Sequence, residues 1–130
     1  MVNHRSQLKF RFLERIPEVC YPWGPKAYRQ RLDKFIAKYG IEGAQSYCID
    51  LVMWHAFVHF VFSLAFVVGV HALREYSPLG AGLASTAFVA FFYWQEFIDQ
   101  PRRLRQTFPK ALLDFIVWSL PVAAYWVFTF

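Results

Sequence analysis

The 23 residues from Leu51 to Leu73, LVMWHAFVHFVFSLAFVVGVHAL, contain no Asp, Glu, Lys or Arg. A bilayer's hydrocarbon core is about 30 Å thick, and about 20 mostly apolar residues in an α-helix cross it. Two further stretches repeat the pattern. Tyr76 to Gln95 is free of charged residues over 20 positions, and Ala111 to Phe130 holds one acid, Asp114, in another 20. Within hydrocarbon the backbone must satisfy its own hydrogen bonds, so runs of this kind are helical. A soluble helical bundle is the competing reading, but each of its helices would need a polar face. The stretch from Leu83 to Phe92 offers no charged one.

Composition leans the same way. The chain is 130 residues long, 57% hydrophobic and only 18% charged, against about 45–50% and about 25% for ordinary soluble domains. The expected class is an all-α integral membrane protein. Three transmembrane helices, near residues 50–73, 77–98 and 110–130, follow a basic segment at 1–47 that carries an amphipathic helix near 25–39. Pro78 suits the first turn of the second span. A polar turn from Asp99 to Lys110, bracketed by Pro101 and Pro109, separates the second span from the third.

Orientation follows from the positive charges. Nine of the 14 Lys and Arg precede residue 40, Arg74 stands alone in the first connection, and four lie between Arg102 and Lys110. Positive charge stays on the cytoplasmic side. The N-terminus and the turn from Arg102 to Lys110 are therefore expected inside, and Arg74 and the C-terminus outside, in a bacterial inner membrane or its equivalent. Residues 1–20 lack the apolar core of a signal peptide, so the first span is read as an uncleaved insertion signal. Cys20 and Cys48 form neither a CxxC pair nor a zinc-type spacing and are expected to be inert.

Pro25 and Gly40 punctuate the basic helix. Tyr28, Leu32, Phe35, Ile36 and Tyr39 make a narrow apolar stripe, and Lys26, Arg29, Arg31, Lys34 and Lys38 surround it. Such a helix beside a span is expected to lie on an anionic inner leaflet, where each basic residue contributes about 1 kcal/mol. The stripe could instead pack on the protein's own cytoplasmic face. Nucleic-acid binding is not expected, because no RNP, KH or zinc-finger pattern accompanies the charge. Residues 8–16 alternate briefly, as a strand or a short helix would.

Ionisable residues inside the spans carry the functional question. His55 and His59 are four apart and share a helix face. Counted at about 1.5 Å per residue from the cytoplasmic ends, His55, Glu96 and Asp114 fall at one depth, with His59 a turn deeper. Such groups are costly in lipid and face a bundle interior or water. Two histidines with Glu96, Asp99 or Asp114 would suit zinc, iron or manganese. They would equally suit a proton relay, a headgroup site or mutual pairing with Lys110, Arg102 or Arg103. A metal or haem is the cofactor class considered. No HExxH or Glu-x-x-His spacing strengthens the case.

Gly80, Gly82, Ala84, Ser85 and Thr86 give the second span a small-residue surface for close helix approach, and Pro121 is expected to kink the third. The functional expectation is a non-catalytic accessory, assembly or scaffold component, in contact with a membrane-protein partner or further copies of itself. The alternative is a membrane-embedded metal, redox or headgroup enzyme built on His55, His59, Glu96 and Asp114.

Overall fold

A computed structural model of the chain describes residues 12–129. His4, residues 8–11 of the alternating stretch and Phe130 lie outside the described residues; residues 12–16 of that stretch are helical. Among the described residues every regular element is helical. The order is α1 (Phe12–Val19), α2 (Pro25–Tyr47), α3 (Ile49–Tyr76), α4 (Pro78–Trp94), a π turn (Gln95–Asp99), α5 (Gln100–Arg103) and α6 (Phe108–Thr129).

α3 and α6 are long and apolar enough to cross a membrane, with mean hydropathies of 2.1 and 1.7 over their most apolar stretches. Only 28% of each stretch is buried within the protein. Phe57, Phe60, Phe62, Leu64 and Val68 on α3 and Ile116, Leu120, Val127 and Phe128 on α6 face outward. Apolar exposure on this scale marks a surface made to meet something other than water.

α3, α4 and α6 form a three-helix bundle whose contacts fix direction. His59 meets Asp114, Ser63 Oγ donates to the Trp118 carbonyl at 2.6 Å, and His71 Nδ1 lies 3.1 Å from Tyr125 Oη. These rising pairs make α3 and α6 parallel. α4 returns antiparallel alongside both. Phe66 stacks on Phe88 at 3.9 Å, Trp118 on Phe92 at 3.9 Å, and Trp126 Nε1 donates to Ser85 Oγ at 2.8 Å. Pro121 is buried within an α6 assigned as one helix. The Ser63 bond supplies a partner to a carbonyl in the turn that proline weakens.

The α3–α4 connection is a single residue. Ser77 caps α4 by accepting from the Gly80 N–H at 3.0 Å, and Pro78 opens the helix, a position where its missing N–H costs nothing. The second connection is shorter than the twelve polar residues suggested. Helical backbone continues from α4 through the π turn and α5 to Arg103, leaving residues 104–107 as the loop. Pro101 explains the wide turn. An α-helical ring there would crowd the carbonyl four residues back, and the i to i+5 turn avoids it; the Gln100 N–H bonds the Gln95 carbonyl.

α1 and α2 close the end of the bundle at which α3 and α6 begin. Trp54 Nε1 donates to the Pro17 carbonyl at 2.7 Å. Gln45 donates to the Arg105 carbonyl at 2.9 Å and accepts from the Thr107 N–H at 2.8 Å, which holds Arg105 in its left-handed conformation at φ 53°. Arg103 joins Glu14 to Asp99. The α2 stripe is turned onto the protein except at Tyr39, which is 40% exposed. Tyr28 packs with Cys48 and Leu51, flanked by Leu32, Phe35 and Trp54, and Ile36 is buried. Two of the five basic residues are engaged: Arg29 pairs with Glu18 and Arg31 with Asp50. Lys26, Lys34 and Lys38 remain exposed. Burial pushes the Cys48 thiol up to about 11, so it is protonated and unreactive at neutral pH.

α2 bends at Gly40, where φ is 75° and ψ 172°. That region is open essentially to glycine alone, and other residues there cost about 1–3 kcal/mol. A Cβ at Gly40 would meet nothing within 4 Å. Gly40→Ala is therefore expected to destabilise the protein through backbone strain, visible as a lowered Tm in detergent, with no steric clash to relieve; an unchanged Tm would mean the bend is not required.

Candidate metal centre

α3 presents His55 and His59 one turn apart, and the parallel α6 presents Asp114 at the same depth. One potential ligand atom from each of the three lies within 4.8 Å of the others. His59 Nδ1 is 3.9 Å from Asp114 Oδ1, too far for a hydrogen bond. Neither atom has a hydrogen-bond partner among the described residues, although His59 is 6% and Asp114 1% exposed. Buried polar atoms are nearly always satisfied, so two facing orphans point to something that belongs between them.

Packing holds both histidine rings. His59 stacks on Trp118 at 4.6 Å and meets His55 edge-on at 5.3 Å, and His55 lies over Tyr28 at 6.2 Å. Asp114 keeps its other oxygen, Oδ2, on Lys110 Nζ at 2.6 Å. A carboxylate fixed through one oxygen and open at the other is oriented as metal-ligating carboxylates are. Zinc-type bonds of about 2.0–2.1 Å place tetrahedral ligand atoms about 3.3 Å apart. The potential ligand atoms lie within 4.8 Å of one another, a span up to about 1.5 Å wider than that spacing.

The remaining acids of the predicted layer go elsewhere. Glu96 is fully buried on the π turn and accepts from Gln106 Nε2 at 2.7 Å and Gln95 Nε2 at 3.1 Å. Two neutral amides satisfy it. Asp99 pairs with Arg103 at 2.8 Å, outside the His/Asp set. The five candidates thus divide into a triad of His55, His59 and Asp114, a carboxylate in an amide cradle, and an ion-paired rim. Sequence reasoning did not find Gln95, Gln106 or Trp118. Glutamines carry no periodic signal, and Gln106 reaches Glu96 from a loop ten residues on.

A cavity of about 110 Å³ lies against His55 and His59 but not Asp114, and is lined also by Tyr28, Leu32 and Ile36 of α2 and by Glu14, Gln106, Lys110 and Trp118. The small-residue surface of α4 serves a different place. Ala81 and Ser85 are buried against the bundle, whereas Gly82 and Thr86 line an open groove between α4 and α6, and a Cβ on Gly82 would touch nothing. Gly80 and Ala84 are half-buried.

The Lys110–Asp114 pair sets an energetic test. Asp114→Asn leaves a largely buried ammonium without its counter-charge and should cost about 3–5 kcal/mol, whereas the double variant Lys110→Met, Asp114→Leu removes both charges and should recover most of it. Thermal or chemical denaturation in detergent compares the three proteins; equal losses for the single and double variants would show that the pair is not electrostatically coupled. No family model matches the chain, and no curated protein or solved structure matches it.

Proposed function

We propose that this chain is an integral membrane protein that holds a divalent transition-metal ion at His55, His59 and Asp114. The observation that carries the reading is the pair of buried, unsatisfied, mutually facing atoms, His59 Nδ1 and Asp114 Oδ1, with a ring nitrogen of His55 within 4.8 Å of the set. Two imidazoles and one carboxylate suit zinc or ferrous iron, and three protein ligands leave a coordination position for water or substrate. The ion would act there as a Lewis acid or lower the pKa of bound water. A cavity of about 110 Å³ suits an ion with a small ligand rather than a haem.

Three spans are part of the proposal. The 17 residues of α4 continue without a break through the five of the π turn, which gives α4 the length to cross beside α3 and α6. The charge distribution then orients the metal centre toward the cytoplasm, with Lys26, Lys34 and Lys38 facing an anionic inner leaflet. A non-catalytic accessory role is the second reading. What favours it is the open apolar groove between α4 and α6, lined by Leu83, Val89, Ala90 and Val122, which could seat a helix of another protein or a second copy.

Metal analysis of protein purified without added chelator tests the first reading. About one zinc or iron per chain is expected, falling to background in His59→Ala and in Asp114→Asn, while Asp99→Asn keeps its metal. Stoichiometric metal in His59→Ala would overturn it. Topology is tested separately: reporter fusions in the loop at residues 104–107 and at Phe130 should read out on opposite sides of the membrane, and the same side for both would reject three spans.

A further inference from the structure

The turn between α1 and α2 leaves its apolar side chains unburied. Val19 is 68% and Trp23 76% exposed, and Pro22 beside Trp23 is exposed as well. A line of ring contacts ties this turn to the outward face of α3. Trp23 meets Tyr21 at 5.4 Å, Tyr21 meets Trp54 at 6.0 Å, and Trp54 meets Phe57 at 5.7 Å. Phe57 stands about two turns into α3, on a strip with Ile49 and Met53 that is more than half exposed at all three positions. The Trp54 indole also donates to the Pro17 carbonyl, so the turn is held level with the second turn of α3. Its apolar surface is therefore continuous with the outward apolar surface of that helix.

The exposed charge around the turn is positive. Glu14 and Glu18 are buried and engaged by Arg103 and Arg29, whereas Arg15, one helical turn before Val19, and Lys26, one turn after Trp23, are exposed. Tryptophan is favoured at a membrane surface because its ring is apolar and its N–H polar, and neighbouring basic side chains reach anionic headgroups. A lipid surface supplies both halves of what the turn offers, with apolar chains just beneath negative phosphates. We infer that the Val19–Trp23 turn is inserted in the headgroup region of the anionic inner leaflet, with Val19 and Trp23 beneath the phosphates and Arg15 and Lys26 among them. This inference rests on the reading of α3 as a membrane span. The turn then fixes the α1–α2 segment to the bilayer by burial of side chains, in addition to the attraction of the α2 lysines.

Full-length protein in liposomes of phosphatidylcholine and phosphatidylglycerol tests it, labelled with a small fluorophore at Cys20, the exposed thiol inside the turn; Cys48 is buried. Phosphatidylcholine brominated near the headgroup end of its chains should quench the label at least twofold more than lipid brominated near the chain end. The quenching should persist in about 1 M salt, where charge attraction is screened beyond about 3 Å. Trp23→Asp, a change at an exposed position, should lower it at least twofold. In a Cys20→Ser background, a label on Phe57→Cys reports the span by itself and should be quenched by bromolipid. A quenched Phe57→Cys label beside a Cys20 label that is unquenched, or quenched most from the chain end, would overturn this inference and leave α3 in the membrane. So would loss of Cys20 quenching in salt, or undiminished quenching in Trp23→Asp. An unquenched Phe57→Cys label would remove the membrane reading and the anchor with it.

Discussion

The Asp114 carboxylate is the constraint around which the α2-covered end of the bundle is arranged. A charge almost fully removed from water must be neutralised, and the structure does so with Lys110 on one oxygen, while the His59 imidazole faces the other at 3.9 Å. That requirement fixes the register of α6 against α3. Once His59 stands opposite Asp114, Ser63 meets the Trp118 carbonyl, His71 meets Tyr125, and Arg74 reaches the Thr129 carbonyl. Apolar contacts alone would tolerate a slip along the helix axis; a buried carboxylate does not.

Much of the scaffold is legible in the amino-acid sequence. The three apolar runs form α3, α4 and α6, Pro78 opens a helix, and Gly40 takes the backbone conformation that breaks one. These features are local, and local chemistry decides them. Less legible is everything that depends on which surface meets which. The α2 stripe has the spacing of an interfacial helix, yet its apolar side packs on Leu51 and Trp54. Periodicity records that a face is apolar and not what covers it. Counting residues from the membrane boundary puts His55, Glu96 and Asp114 at one depth, but depth leaves rotation about each axis open. The π turn sets that rotation for Glu96, and the result is an amide cradle rather than a place among the ligands.

The segment before α3 is tied down by polar contacts of several kinds. An indole donor on Pro17, a carboxamide clamp on the loop at residues 105–107, and a guanidinium between Glu14 and Asp99 each join it to a different part of the bundle. Arg29 and Arg31 are used within the protein, so the charge left for a surface is carried by lysines. Lysine attracts anions as a flexible point charge, without the fixed fork geometry of arginine. Contact with an anionic surface through Lys26, Lys34 and Lys38 would therefore be diffuse, and weakened by salt.

The wide turn at Gln95–Asp99 has a consequence for how this chain can change in length. Each residue of an α-helix advances the face by about 100°, so a π turn stores one residue's worth of rotation in a single loop of backbone. Loss of one residue between 95 and 99 would return the segment to a regular helix only by pressing Pro101 against the carbonyl four residues back. Glu96, inside the segment, would bear the rotation and leave Gln106. The wide turn thus serves both Pro101 and the placement of the buried carboxylate, and a length change there would disturb the two together.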